Sequence, residues 1–595
     1  MLSKRLLYER LYEAILNKIF QTLYTLIGVS GKAQEDNLTF GYTTPVKIQD
    51  GIAEAMDIWV NAIDNLLIET DMEEESYAKL WMIRGLTFPE FNLIFTASIE
   101  EREYRDYRGF IFLKLRDKVD RDYFTARYKN EMPTYEAILQ ARGIPILKEL
   151  TRMRMPIYFP VSTLEKHFYL TGGTGSGKSE LIKLVIYELQ RSNAAKRDRG
   201  IVLIDPHGDI SSECLGFIMN AKQRDRIIYV NPFINRELKV EQKYTPVINP
   251  FIIKDKSNDS INLMTQELTS ALLEILQDAT LSFQMELLLT MCIAVVLRMP
   301  DADIRHLIRF MDDNQNADLI QLGLQSPFDV HREFFRSKFK LGEYRQTKIS
   351  IMTRLTNLLA MEEFYRLISG RSTIDIEKAM DSGQVMLFNL AQGRMSERVS
   401  SAYGRLIVAY MQGLSRKRVD VKKEERMPVF LIIDECQYYI SPSIEEILTG
   451  SRKFKLFLFL AQQIVGHKMS TDMEKIVMGN TAIKMMGKNE ASSYEAFSKN
   501  TGIPTEELQK LEDFTFYVHN RQDKATKRSF QFLSPPFLVD QTSEFYMSAE
   551  ARKHLLWWFV NESGYYVKVS PTNPPDGDSK DNDDDLPLSP AFPEF

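Results

Sequence analysis

Apolar and polar positions along this 595-residue chain change their rhythm several times. Near the start, Leu7/Tyr8, Leu11/Tyr12, Ile15/Leu16, Ile19/Phe20 and Leu23/Tyr24 recur every four residues before Gly28. That spacing predicts one amphipathic helix over Arg5 to Ile27, capped by the glycine. Ile52, Met56, Trp59, Ile63 and Leu66 predict a second helix. Phe91, Leu93, Phe95, Ala97 and Ile99 alternate as in a half-buried strand, with Gly109 to Arg116 as its partner and the charge run Glu100 to Arg108 as the turn.

From about residue 160 the rhythm changes to short continuous apolar runs: Phe168–Thr171, Ile201–Ile204, Ile227–Val230, Val385–Phe388, Phe430–Ile433, Leu456–Leu460 and Phe514–Val518. Runs of this kind separated by helices predict a parallel sheet covered on both faces. Between Lys254 and about Gly370 helical periodicity takes over, which reads as a helical insertion. After Pro571 the composition turns to Pro, Asp, Gly and Ser, a disordered tail. The expected class is α/β. Its parts are a mixed α/β N-terminal domain (1–160), a motor in two parts (161–253 and 371–545) around the insertion (254–370), a helical and strand extension (546–570), and an acidic tail (571–595).

Charge alters this picture at one place. The tail holds seven acids against Lys580, which equals the chain's whole net charge of −6, so the body is neutral. A neutral body can carry a local basic channel, so nucleic acid is not excluded. Cys214, Cys292 and Cys436 are far apart, with no CxxC, which argues against a zinc site or a disulfide framework and suits a reducing cytoplasm. No secretory signal is read, and Leu287 to Leu297 is too short to span a bilayer. A cytoplasmic protein is expected. The N-terminal apolar stripe leaves three surfaces open: the inner membrane, a partner, or its own domain.

The chemistry centres on one loop. Gly172-Gly-Thr-Gly-Ser-Gly-Lys-Ser179 lies between an apolar strand and an amphipathic helix, and fits the G-x-x-x-x-G-K-[ST] phosphate loop. Gly172, Gly173, Thr174, Gly175, Ser176 and Gly177 let successive N–H groups point at one anion, and the helix N-terminus adds partial positive charge. Lys178 then reaches the β- and γ-phosphates of ATP, and the Ser179 hydroxyl ligates Mg²⁺. Further on, an apolar strand ends in Asp434-Glu435, suited to support Mg²⁺ and to polarise the attacking water. Gln463 follows another strand and is a candidate γ-phosphate sensor, with Arg452 shortly before that strand. Arg416-Lys-Arg418 with Lys422 and Lys423 reads either as a phosphate-contacting cluster or as a solvated linker.

Together with Asp205-Pro-His-Gly-Asp209, Asn249-Pro-Phe251, Asn389-Leu-Ala-Gln-Gly393, Arg452-Lys-Phe454 and Ala461-Gln-Gln463, these motifs resemble the HerA–FtsK superfamily of DNA-pumping ATPases over about residues 160 to 545. Type IV secretion coupling ATPases and HerA-like helicases are the nearest groups. The resemblance implies a RecA-like P-loop motor that forms a hexameric ring around DNA. It implies ATP and Mg²⁺ as cofactors, Asp434 as metal carboxylate, Glu435 as water carboxylate and Gln463 as sensor. It also implies that Arg452 is an arginine finger acting on the neighbour's nucleotide, with Arg394 as a second candidate. The implied partners are DNA, further copies of the chain, and either relaxosome and secretion proteins or a nuclease. The tail is a candidate recruitment peptide.

Overall fold

The computed structural model describes residues 21–24, 37–43, 155–191, 197–219, 224–276, 283–523, 526–537 and 546–569. The predicted helix over 52–68, the strand pair over 91–116, the acidic tail, and all of the first predicted helix except the helical residues 21–24 lie outside them. The strands, in chain order, are β1 (Asn37–Thr43), β2 (Met155–Pro160), β3 (Phe168–Thr171), β4 (Gly200–Asp205), β5 (Ile227–Val230), β6 (Tyr244–Thr245), β7 (Val385–Asn389), β8 (Val429–Ile433), β9 (Leu456–Gln462), β10 (Ile483–Met486), β11 (Thr515–Asp523), β12 (Thr526–Leu533) and β13 (Val567–Lys568). All seven apolar runs from Phe168 onward are strands, and β3, β4, β5, β7, β8 and β9 are buried along their whole length. Residues hidden on both faces explain why these runs are continuous rather than alternating.

The chain divides into two compact units. The first comprises Met1–Lys196, Ile432–Gln437 and Phe457–Val539. Its strands run in the order β2-β1-β12-β11-β10-β3-β9, with β10, β3 and β9 parallel and the others antiparallel. Phe168 stacks on Phe459 with centroids 4.2 Å apart, fixing the register of β3 on β9. The sequence reading places Met155–Pro160 in a separate N-terminal region. In the fold β2 pairs with β1, and β1 pairs with β12, so both strands extend the sheet that bears the phosphate loop. Phe40, Phe159 and Phe530 stack across these strands, a contact between segments far apart in sequence.

The second unit comprises Arg197–Leu431, Tyr438–Leu456 and Asp540–Phe595. Its strands β4, β7 and β5 are parallel neighbours, with the start of β8 beside β4. From Asn258 to Ile368 its described residues form helices and turns without a strand. Among these, Phe283–Val296 is buried on nearly every side, with Leu288, Leu289, Cys292, Ile293 and Val296 fully covered. Near the C-terminus a helix (Ala549–Asn561) leads into β13, which pairs with β6. No described helix is long and apolar enough to cross a membrane.

Three asparagines from the family-like motifs and their neighbourhood have structural roles in this unit. The side-chain oxygens of Asn231, Asn249 and Asn389 accept the N–H of Phe233, Phe251 and Ala391, closing turns at 2.8, 3.0 and 3.1 Å. Asp205 acts similarly: its carboxylate accepts the N–H groups of His207, Gly208 and Ser211, holding the start of the helix Asp209–Met219.

Candidate active site

The phosphate loop sits where β3 ends, between that strand and the helix Lys178–Arg191. Its shape is set by the backbone. Ser176 N–H donates to the Gly173 carbonyl (3.1 Å), Gly173 N–H to the Lys488 carbonyl (2.9 Å), and Phe514 N–H to the Ser176 carbonyl (3.0 Å). Gly177 has φ +89°, and a Cβ there would lie 2.6 Å from the Phe514 ring, so both conformation and space require glycine. Thr174, Gly175 and Ser179 are exposed, whereas Ser176 is buried.

Parallel register brings other strand ends to the same level. Thr171 stands opposite Gln462 of β9 and Met486 of β10. The acidic pair following β8 lies in the same unit. Lys178 Nζ donates to Asp434 Oδ1 at 2.8 Å and to Glu435 Oε1 at 2.5 Å, and all three side chains are at most 7% exposed. Gln463 Nε2 donates to Glu435 Oε1 (2.9 Å), and Gln437 Nε2 donates to Glu435 Oε2 (2.8 Å). Glu435 has φ +47°, a left-handed conformation costly for a non-glycine residue. Lys178 and the two amides hold the carboxylate in one direction.

Electrostatics follow from this packing. Burial alone would depress the Lys178 ammonium, but the charges of Asp434 and Glu435 outweigh it and hold its pKa above the usual lysine value. Burial alone would raise Glu435. The Lys178 charge and hydrogen bonds, helped by Gln437 and Gln463, hold it below the usual glutamate range. Glu435 is therefore ionised at neutral pH and can accept a hydrogen bond from water.

Of the expected site residues, Lys178, Asp434, Glu435 and Gln463 meet at the head of the phosphate loop. Arg452 lies in the second unit, exposed on the short turn Ser451–Phe454, and Arg394 is exposed there as well. Three participants carry no role of their own in the sequence reading. Gln437 steadies Glu435. Asn489 Nδ2 donates to the Gln463 carbonyl (2.7 Å) and to Thr171 Oγ1 (3.1 Å). Gln462 Nε2 reaches the Tyr169 hydroxyl at 2.5 Å. Asn489 was discoverable in principle, because it follows a strand and ligand-binding groups gather at the carboxyl ends of parallel strands.

The oxygen set fits Mg²⁺. An exposed Ser179 hydroxyl and the Asp434 carboxylate are hard donors, and no described group of three or more His, Cys, Asp or Glu forms a cage. Mg²⁺ ordinarily takes one or two protein oxygens and completes its shell with phosphate and water.

A buried Lys–carboxylate cluster at a strand–loop–helix phosphate loop defines the class: a P-loop nucleoside triphosphatase with a mostly parallel, RecA-like sheet. Residues 147–411 match the family model described as the central domain of the helicase HerA. The phosphate loop lies within that segment. No curated protein matches the chain. Among solved structures, the plasmid coupling protein TrwB with a non-hydrolysable ATP analogue is similar at 16% identity and TM-score 0.46, covering 66% of this chain and 90% of that one. TrwB with ADP and Mg²⁺ is similar at 15% and 0.45, with 66% and 90% covered. VirB4 of Thermoanaerobacter pseudethanolicus is similar at 14% and 0.42, with 64% and 93% covered.

Proposed function

We propose that this chain is an ATP-driven DNA-translocating motor of the conjugative coupling type, working as a hexameric ring of its own copies. The observation that carries the reading is the meeting of Lys178 with Asp434, Glu435 and Gln463 beside the phosphate loop. The loop N–H groups and the helix N-terminus take the phosphates of ATP. Lys178, now shared by two carboxylates, turns to the β- and γ-phosphates and so releases Glu435. Glu435 then orients a water for attack, while Gln463, held by Asn489, reports the γ-phosphate. Ser179 and Asp434 would hold Mg²⁺, which when bound offsets phosphate charge. Arg452 is assigned to the nucleotide of an adjacent copy, where such a residue stabilises transition-state charge.

A second reading is a HerA-like helicase or translocase serving DNA-end processing or defence with a nuclease partner. The family match over residues 147–411 favours it. Both readings make DNA the substrate. ATP turnover of the purified protein is expected to rise on adding single- or double-stranded DNA. Glu435→Gln is expected to bind ATP and to lose turnover, since an amide cannot activate water. Turnover indifferent to DNA would leave a nucleotide-dependent ring scaffold instead. Failure of Glu435→Gln to bind ATP would make Glu435 a structural residue.

A further inference from the structure

The basic cluster Arg416-Lys-Arg418, expected to face DNA phosphates or solvent, is tied up within the second unit. Arg416 pairs with Glu267 (2.8 Å) and Glu446 (3.2 Å), and Lys417 with Glu377 (3.6 Å). Arg418 pairs with Asp381 (2.7 Å) and also donates to the carbonyls of Met427 (2.9 Å) and Phe454 (3.4 Å). One of these links, from Arg418 to the Phe454 carbonyl, ends on the turn Ser451–Phe454.

On one side of that turn, Ser451 Oγ donates to Gln412 Oε1 at 2.8 Å, with both residues at most 2% exposed. Gln412 Nε2 reaches Glu446 Oε2 at 3.5 Å, the same carboxylate that Arg416 contacts. On the other side, Arg418 and Arg426 donate to the carbonyls of Phe454 and Lys453. The turn is thus held at residues 451, 453 and 454, while the Arg452 side chain stands exposed with no partner among the described residues. A short segment fixed at every position but one is a platform for that one side chain.

The platform reaches the helical insertion. Glu267 lies on the helix Asn258–Ile275, which crosses the helix Glu397–Arg416 at Gly413. A Cβ at Gly413 would meet Met264 Sδ at 2.6 Å and Glu267 Cγ at 3.2 Å, so the close approach that seats Glu267 beside Arg416 depends on that glycine. Burial first, and then the Glu446 carboxylate, push the Glu267 pKa up to about 7 against the pull of Arg416. Above that pH Glu267 is charged and holds Arg416; below it Arg416 is left to Glu446.

We propose that Gln412 and the Glu267–Arg416–Glu446 ion pairs are positioning groups for the turn that carries Arg452, and that they link the first insertion helix to its reach toward a neighbouring copy's nucleotide. The inference rests on the reading of Arg452 as a residue acting in trans, and a double-mutant cycle separates the two. Arg452→Ala is expected to lower kcat by about a thousandfold. Ser451→Ala removes the Gln412 contact and is expected to lower kcat by about tenfold with KM nearly unchanged. In the Arg452→Ala background Ser451→Ala is expected to cost nothing further, because its effect passes through the missing guanidinium. A repeated tenfold loss there would overturn the positioning role alone. Wild-type turnover in Arg452→Ala would overturn the trans reading and this inference together. If Ser451→Ala does not fold, Glu267→Gln takes its place in the cycle. The wild-type profile of kcat against pH is expected to step near pH 7 and to lose that step in Glu267→Gln. A step that persists would remove Glu267 from the relay.

Discussion

Lys178 lies between two carboxylates with 7% of its side chain exposed, so removing it does more than delete the proposed phosphate ligand. Lys178→Ala leaves Asp434 and Glu435 as adjacent buried charges, a defect on the order of 3 kcal/mol. Turnover is expected to vanish, and the melting temperature at neutral pH is expected to fall. The pH dependence follows from the two shifts. Glu435, held low, stabilises the fold above the ordinary glutamate range of about pH 4.3, and this contribution fades as pH falls through its depressed value. Lys178, held high, stabilises below the ordinary lysine range of about pH 10.4 and loses its contribution as pH rises through its elevated value. The gap in melting temperature between wild type and Lys178→Ala should therefore be widest between these limits. It should narrow in acid, where the Glu435 contribution fades. A gap independent of pH, measured by calorimetry, would contradict the three-way ion pair. The residue types at this site were legible in the sequence, because phosphate chemistry demands a lysine after a glycine loop and an acidic pair after an apolar strand. Their mutual contact was not, since the pair lies more than 250 residues further along the chain.

At the scale of elements, the site is an alignment of strand ends. β10 joins β3 in parallel and delivers Asn489 to the level of Thr171 and Gln463. Asn489→Ala removes both hydrogen bonds and leaves the Gln463 backbone less fixed. A fall in kcat of about tenfold with ATP affinity nearly unchanged is expected, read by steady-state turnover and equilibrium nucleotide binding. Equal loss in both would mean that Asn489 shapes the pocket rather than the proposed sensor Gln463. β10 itself escaped the sequence reading for a local reason. It has four residues, one of them Lys484, whose ammonium is buried and donates to the Thr481 carbonyl at 2.6 Å. A charged residue in so short a run hides the pattern that marks a buried strand. The Arg416 to Arg418 cluster shows the converse. As a run of cations it reads as a solvated or DNA-facing stretch, yet its carboxylate partners come from several helices, and no local pattern signals them.

For the whole molecule, the test lies at the C-terminus. Deleting residues 571–595 removes the net negative charge of the chain. If this segment recruits a partner, basal ATP turnover should be unchanged while capture of a basic partner protein in pull-downs is lost. Tighter DNA binding by the truncated protein at low salt, where screening is weak, would instead mark the tail as a competitor for a basic channel. By itself the sequence determined the class of fold and the chemistry of its main loop. Continuous apolar runs must be buried on both faces, and a glycine-rich turn before Lys-Ser has few uses other than phosphate. Tertiary structure alone decided which distant groups meet: Lys178 with Asp434 and Glu435, Asn489 with Gln463, and Gln412 with Ser451. It also decided that β1 and β2 extend the sheet of the first unit. Periodicity reports the face a residue turns to its own element's surroundings, whereas pairing and register between elements depend on contacts that are not local in the chain.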